Sequence, residues 1–366
     1  MKIVTVLGAR PQFIKAGSVS REILRRKNSG AEIQEVLIHT GQHFDENMSD
    51  VFFQDMGIPE PDHHLGIGGK AHGEMTGQMI EKVEALLVKE NPDYVLVYGD
   101  TNSTLAGALA ASKLKLNIAH VEAGLRSFNM DMPEEINRIL TDRISRFLFC
   151  PTEAAVANLE SEGIRNWGSD AEVVLSGDVM QDSAIYYRNL AQKPIAVTLS
   201  GNYNLCTVHR AENTDNPERL VNILSALNDI AGQKQVLIPI HPRTRKILEK
   251  GNFNTSNLTF TEPVGYLNMV WLIEHCDLVL TDSGGLQKEA FFFSKPCLTL
   301  RDETEWVELV DHGFNTVTGA DKLKILDAYH NAEFNQDFNI NLYGAGRASE
   351  VIVSKLIGDT GRTKET

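Results

Sequence analysis

The stretch Leu278-Val-Leu-Thr-Asp-Ser-Gly-Gly-Leu-Gln-Lys-Glu-Ala290 decides the reading of this chain. Its apolar run, Leu278 to Leu280, stops at Thr281-Asp282. Ser283, Gly284 and Gly285 follow, and a helical pattern begins. The order predicts a buried strand, a tight turn and a helix N-terminus. Unpaired backbone N–H groups and the positive end of the helix dipole meet there, and two glycines let an anion approach the backbone. Ser283 adds a hydroxyl donor. Glu289, one turn into the helix, is placed to accept hydrogen bonds from a ribose diol. The stretch reads as a seat for a nucleotide diphosphate. A plain capped helix with a glycine turn is the bland alternative, and the rest of the chain has to choose between them.

Outward from this stretch, strand-like runs alternate with helical patterns, which means βαβ units and parallel sheets. The first half offers Ile3–Leu7, Val36–His39, Tyr94–Tyr98, Asn117–Val121, Phe147–Cys150 and Glu172–Leu175 as strands. The second offers Leu205–Val208, Val236–Ile240, Leu278–Leu280, Pro296–Leu300 and Phe314–Val317. Between them lie helical patterns such as Glu74–Glu90, where Met75, Met79, Ile80, Val83, Leu86 and Leu87 share a face. Apolar periodicity lapses from Lys193-Pro194 to Asn204. The expected fold is α/β, with two Rossmann-like domains whose parallel sheets face a cleft. The domains are expected at 1–190 and 191–344, with a last helix at 345–358 packing back on the first and a polar tail at 359–366.

Ligands of such sheets bind at the carboxyl ends of the strands, and those loops hold the chemistry-bearing residues. Arg10 and Lys15 flank the first helix start, in Gly8-Ala-Arg-Pro-Gln-Phe-Ile-Lys15; cations at the positive end of a helix suit a bound anion. Gln42 and His43 follow the second strand. Asp100 sits at the tip of the third, where helix capping and catalysis explain it equally well. Glu122 ends the fourth, and Glu134 and Glu135 open a helix at Pro133, where the dipole alone favours acids. Three loops with carboxylates at one sheet edge can set one acid and one base apart. In the second half, His209-Arg210 and His241-Pro-Arg243 stand at strand tips, where histidine exchanges protons and arginine meets phosphate. The first half thus carries carboxylates, and the second carries histidine, arginine and the anion seat.

Size and composition narrow the class. The chain has 366 residues, 42% hydrophobic and 23% charged, with a net charge of −14. That charge argues against non-specific nucleic-acid binding. No apolar run reaches membrane-spanning length, and Met1–Gly8 reads as a first strand rather than a signal peptide. Cys150, Cys206, Cys276 and Cys297 are widely spaced and read as buried free thiols of a cytoplasmic protein. No Gly-x-Gly-x-x-Gly opens a helix after a strand, since Gly66-Ile-Gly-Gly69 follows no strand pattern. No nicotinamide cofactor, Walker loop or zinc site is expected.

Taken in order, several of these stretches resemble the non-hydrolysing UDP-N-acetylglucosamine 2-epimerases along nearly the whole chain. They are Gly8-Ala-Arg-Pro with Lys15, Gly41-Gln-His43, Gly99-Asp-Thr101, His120-Val-Glu-Ala-Gly-Leu-Arg126, Pro133-Glu-Glu-Ile-Asn-Arg138, His209-Arg210, and Thr281-Asp-Ser-Gly-Gly285 with Gln287 and Glu289. The resemblance implies a GT-B-like fold, a homodimer, a UDP-sugar substrate, no redox cofactor and no metal. It also implies a second UDP-N-acetylglucosamine acting as activator near Gln42 and His43. It assigns Arg10, Lys15, Ser283, Gly284, Gly285 and Glu289 to the nucleotide, where its strand-tip position also puts His241, and Asp100, Glu122, Glu134 and His209 to catalysis. The implied reaction interconverts UDP-N-acetylglucosamine and UDP-N-acetylmannosamine. UDP leaves by anti elimination, a 2-acetamidoglucal forms, and UDP adds back after protonation from the other face. Which of the three carboxylates is acid and which is base stays open.

Three departures qualify the sugar. Many relatives carry Thr-Glu-Arg-Pro-Glu where this chain has Thr304-Glu-Trp-Val-Glu308. Glu122 and Glu134 stand twelve residues apart, two fewer than is common. The histidine stretch reads His209-Arg-Ala-Glu-Asn213. With Gly177-Asp-Val-Met-Gln-Asp182 and Phe291-Phe-Phe293, these look like the branch acting on UDP-2,3-diacetamido-2,3-dideoxyglucuronic acid for O-antigen synthesis. Relatives assigned to UDP-N-acetylglucosamine share them. A retaining glycosyltransferase of the same fold, a hydrolysing epimerase and a nucleotide-sugar sensor are the competing readings.

Overall fold

The computed structural model describes residues 1–42, 53, 56–167, 170–195 and 197–359. The chain divides into two compact units, Met1–Ser183 with Asn341–Thr366, and Ala184–Ile340.

The first unit is built on a seven-stranded parallel sheet: β1 (Lys2–Leu7), β2 (Gln34–His39), β3 (His63–His64), β4 (Tyr94–Tyr98), β5 (Asn117–Val121), β6 (Phe147–Cys150) and β7 (Glu172–Leu175). The spatial order is β3-β2-β1-β4-β5-β6-β7. Strands β1, β4 and β6 are apolar and almost wholly buried, as a parallel sheet covered by helices on both faces requires. Val4, Val6, Val95, Val97 and Ile118 join Val83 and Leu87 of helix His72–Glu90 in one core cluster. Helix Ala348–Gly358 belongs to this unit. Asp182 caps it by accepting the Ala348 N–H at 3.1 Å and the Ser349 N–H at 2.8 Å.

The second unit repeats the plan with six parallel strands: β8 (Tyr203–Thr207), β9 (Gln235–Pro239), β10 (Thr259–Thr261), β11 (Leu278–Thr281), β12 (Cys297–Thr299) and β13 (Asn315–Val317). Their order is β10-β9-β8-β11-β12-β13. Its core joins Leu220, Ile223, Leu224 and Leu227 of helix Pro217–Ala231 to Ile238, Leu280 and Leu298.

Two strands escape the sequence pattern. β3 has two residues and β10 has three, and each lies at the rim of its sheet, where one side is unpaired and a long apolar run is not needed. So Gly66 does follow a strand, the short β3, contrary to the expectation. In both sheets the strand order reverses beside the first strand of the unit, between β1 and β4 and between β8 and β11. At such switch points a crevice opens beyond the strand ends. The loops there are Gly8–Arg10 and Gly99–Asp100 in the first unit. In the second they are Val208–Arg210 and Asp282–Gly285.

Candidate active site

In the first unit, helix Arg10–Asn28 starts directly after β1, with Arg10 half-buried at its first position and Pro11 fitting the first turn. Buried Gln12 ties the switch-point loops together. Its Oε1 accepts the Gly8 N–H at 2.8 Å and the Ala9 N–H at 3.0 Å, and its Nε2 donates to the Tyr98 carbonyl at 2.7 Å. Sequence reasoning missed Gln12, although a Gln at the third helical position is where a helix-start brace is expected.

One turn on, the Lys15 ammonium pairs with the Glu122 carboxylate. Glu122 is 9% exposed and has φ 73°, a left-handed backbone that a residue with a side chain adopts only under constraint. Gly99 makes room for the pair. Its φ is 62°, and an added Cβ would stand 3.3 Å from Glu122 Oε2 and 3.9 Å from Lys15 Nζ. The next residue, Asp100, is bonded through Oδ2 to Arg138 Nη2 at 2.5 Å, and its carbonyl accepts from Asn137 Nδ2 at 2.9 Å. Lys15, Glu122 and the Gly99–Asp100 turn are therefore one group, with Arg138 at its margin.

Behind this group lies a buried charged network. His120, at 0% exposure, donates through Nε2 to the Gly99 carbonyl at 2.7 Å and meets Asp142 through Nδ1 at 2.6 Å. Asp142 also takes the Gly124 N–H at 3.1 Å and Arg126 at 2.8 Å, and Arg126 bridges on to Glu162 at 2.6 Å. These bonds fix the turns on either side of Asp100 and Glu122. The two acids opening helix Pro133–Ile144 part company: Glu134 is exposed and Glu135 is 1% exposed. Glu135 accepts the Ser127 and Phe128 amides at 2.9 and 3.1 Å and pairs with Arg138 at 2.5 Å. Burial raises its pKa, but the Ser127 bonds and Arg138 outweigh this and hold it below the usual carboxylate range. No bond joins Glu134 to Asp100 or Glu122 among the described residues. Gln42 is pinned at the start of helix Asn102–Lys113, its Oε1 accepting the Ser103 N–H at 2.9 Å and hydroxyl at 2.7 Å. His43 lies outside the described residues.

In the second unit, the fully buried Asp282 organises the switch point. It accepts the His209 N–H at 3.0 Å, the Arg210 N–H at 2.9 Å and Asn213 Nδ2 at 3.2 Å. His209 Nδ1 lies 3.4 Å from the same carboxylate, and its ring centroid is 5.5 Å from that of His241. Burial lowers the His209 pKa, with His241 and Arg210 acting the same way and Asp282 opposing them. Its neutral form is therefore favoured near pH 7. His241 is exposed and caps helix Pro242–Lys250, its Nδ1 accepting the Arg243 N–H at 3.2 Å. Ser283 is the N-cap of helix Gly284–Phe292, and its hydroxyl does not bond that helix's first amides. Gly284 and Gly285 open the helix as expected. Buried Glu289 accepts the Tyr266 hydroxyl at 2.9 Å, and burial pushes its pKa up to about 7.

The sequence model of the UDP-N-acetylglucosamine 2-epimerase family matches residues 25–357. A UDP-2,3-diacetamido-2,3-dideoxy-D-glucuronate 2-epimerase of Pseudomonas aeruginosa is 53% identical, over 97% of this chain and 99% of that protein. A crystal structure of Methanocaldococcus jannaschii UDP-GlcNAc 2-epimerase, in complex with UDP-GlcNAc and UDP, is 43% identical with a TM-score of 0.83, over 97% of this chain and 99% of that one. The fold alone extends to the calicheamicin glycosyltransferase CalG4, at 12% identity and a TM-score of 0.54, over 98% of this chain and 99% of that one. Two parallel sheets with alternating helices and these neighbours define a GT-B-like α/β protein. The chain belongs to the UDP-N-acetylglucosamine 2-epimerase family, whose members named here are isomerases.

Proposed function

We propose that this chain is a non-hydrolysing UDP-sugar 2-epimerase. The second unit holds the UDP, and the first unit's carboxylates move the proton at C2. The observation that carries the reading is the Lys15–Glu122 pair beside Asp100 at the switch point of the first sheet. C2 of a UDP-2-acetamido sugar has no carbonyl beside it to acidify its hydrogen, so the C–O bond to UDP must break as the proton leaves. A base takes the C2 hydrogen, the C1–C2 double bond forms, and UDP departs with the C1–O electron pair. Return of a proton to the opposite face of C2, and of the UDP oxygen to C1, gives the epimer. Charge stabilisation of the departing diphosphate falls to Ser283, Gly284, Gly285 and the cation Arg210. Acid and base are drawn from Asp100, Glu122 and Glu134, with His209 as a further proton carrier.

The 53% identity to the diacetamido-glucuronate epimerase supports the diacetamido-glucuronate nucleotide as substrate. Interconversion of UDP-N-acetylglucosamine and UDP-N-acetylmannosamine is the second reading. The family resemblance supports a homodimer with a UDP-N-acetylglucosamine activator near Gln42, and the four buried free cysteines support a cytoplasmic setting. The test incubates the full chain with each nucleotide, with and without UDP-N-acetylglucosamine as activator and with no acceptor, and follows the products by NMR. The manno epimer with its UDP still attached is expected, faster from the diacetamido-glucuronate. Free UDP with free sugar as the only products, or no turnover of either nucleotide, would overturn the reading.

A further inference from the structure

Trp306 is 5% exposed and directly precedes helix Val307–Asp311. The Lys288 ammonium lies over its ring, 3.9 Å from the centroid; Lys288 is 2% exposed and belongs to helix Gly284–Phe292. The loop bearing the indole is pinned to the same helix. The Thr304 hydroxyl donates to Gln287 Oε1 at 2.7 Å and accepts the Trp306 backbone N–H at 3.2 Å. The indole N–H, although buried, meets no acceptor among the described residues. Buried donors are rarely left this way, because each forfeits its hydration for nothing.

The indole nitrogen lies close to the start of the helix. A Cβ added at Gly284 would lie 3.4 Å from Trp306 Nε1 and 2.3 Å from Glu305 Oε1. Of the two polar groups closing on Gly284, Glu305 is bonded, Arg301 donating at 2.8 Å to its other oxygen, Oε2. The indole N–H is not. It lies beside Gly284 at the start of the helix, where the first amides have no intrahelical acceptor. A cation against an indole ring draws electron density from it and makes its N–H a stronger donor. We propose that Trp306 is a nucleotide-binding residue of this chain: its indole N–H donates to a phosphate oxygen of the diphosphate seated on the Gly284 and Gly285 amides, and Lys288 behind the ring strengthens that donor. This rests on the reading of Ser283-Gly284-Gly285 as the diphosphate seat.

The test titrates UDP and uridine into the full chain and its Trp306→Phe variant by calorimetry. It adds proton–nitrogen spectra of protein carrying ¹⁵N-labelled indoles. Phenylalanine keeps an aromatic ring against Lys288 and removes the N–H. The Kd for UDP is expected to rise about tenfold, the worth of one hydrogen bond to a charged acceptor. The Kd for uridine should stay within about twofold. Of the three tryptophan indole signals, the one absent from Trp306→Phe should move downfield with UDP and stay still with uridine. Should the variant fail to fold, Trp167→Phe and Trp271→Phe assign the signal by elimination. UDP bound no more tightly than uridine by the unaltered chain would overturn the diphosphate seat, and this proposal with it. UDP bound more tightly than uridine with an unmoved Trp306 signal would leave the seat standing and overturn the role of Trp306.

Discussion

The two switch points are built alike and charged differently. Each is secured by an aspartate with no exposure, Asp142 in the first unit and Asp282 in the second. Asp142 is satisfied mostly by side chains, His120 and Arg126, with one backbone amide from Gly124. Asp282 is satisfied mostly by backbone, through the amides of His209 and Arg210. In the first unit the buried aspartate takes up the side chains of Arg126 and His120, and the turns it steadies carry Glu122 and Asp100. In the second it gathers the chain of a basic turn, which carries the half-buried side chains of His209 and Arg210. One sheet architecture thus yields an edge of carboxylates and an edge of histidine, arginine and open helix amides, according to how one buried acid is paired.

The largest effect should come from the displayed residues. Glu122→Gln should lower turnover by roughly 10²–10⁴-fold, the usual worth of a positioned acid or base. UDP affinity, measured by calorimetry, should hardly change. Equal losses in both would break the division between the units. Next come the two buried acids, compared by urea denaturation. Asp142→Ala strips Arg126 and His120 of a partner at 0–1% side-chain exposure and should cost about 3–5 kcal/mol. Asp282→Ala leaves backbone amides unpaired and should cost about 1–3 kcal/mol. A reversed order would mean that the pairing pattern does not set the energetics.

The smallest effect is a pH dependence that sharpens the picture of the first unit. Burial, helped by neighbouring His64, holds His39 near a pKa of about 4, against 6.5 in the unfolded chain. Above pH 6.5 both states are neutral there and His39 contributes nothing. As pH falls through 6.5 the unfolded chain takes up a proton that the fold refuses, so stability is lost until about pH 4. Partial exposure limits the loss to about 1–2 kcal/mol. The urea midpoint should fall less steeply between pH 6.5 and 4 in His39→Phe than in the unaltered chain.

The central strands were legible because both their faces are buried and their apolar runs are unbroken. β3 and β10 were not, since short rim strands carry no such run. Residues at strand tips could be named one by one, but their pairing depends on how helices pack across the sheet. The sequence holds no sign that Arg138 reaches Asp100, or that Asp142 meets His120. Glu134 and Glu135 are neighbours in one helical turn, about 100° apart around the axis. That angle separates an exposed acid from a buried one, and the chain beyond the helix decides which is which. Asp282 stood within the stretch that fixed the fold, yet nothing local shows that it binds the His209 turn, 73 residues away.

The central claim is that the proton at C2 leaves and returns while UDP departs and rejoins. The most direct measurement is epimerisation in D₂O under single-turnover conditions, with the product examined by proton NMR and mass spectrometry. The account expects one deuterium, at C2, in every molecule of the manno epimer. An epimer that keeps its original C2 hydrogen would contradict it.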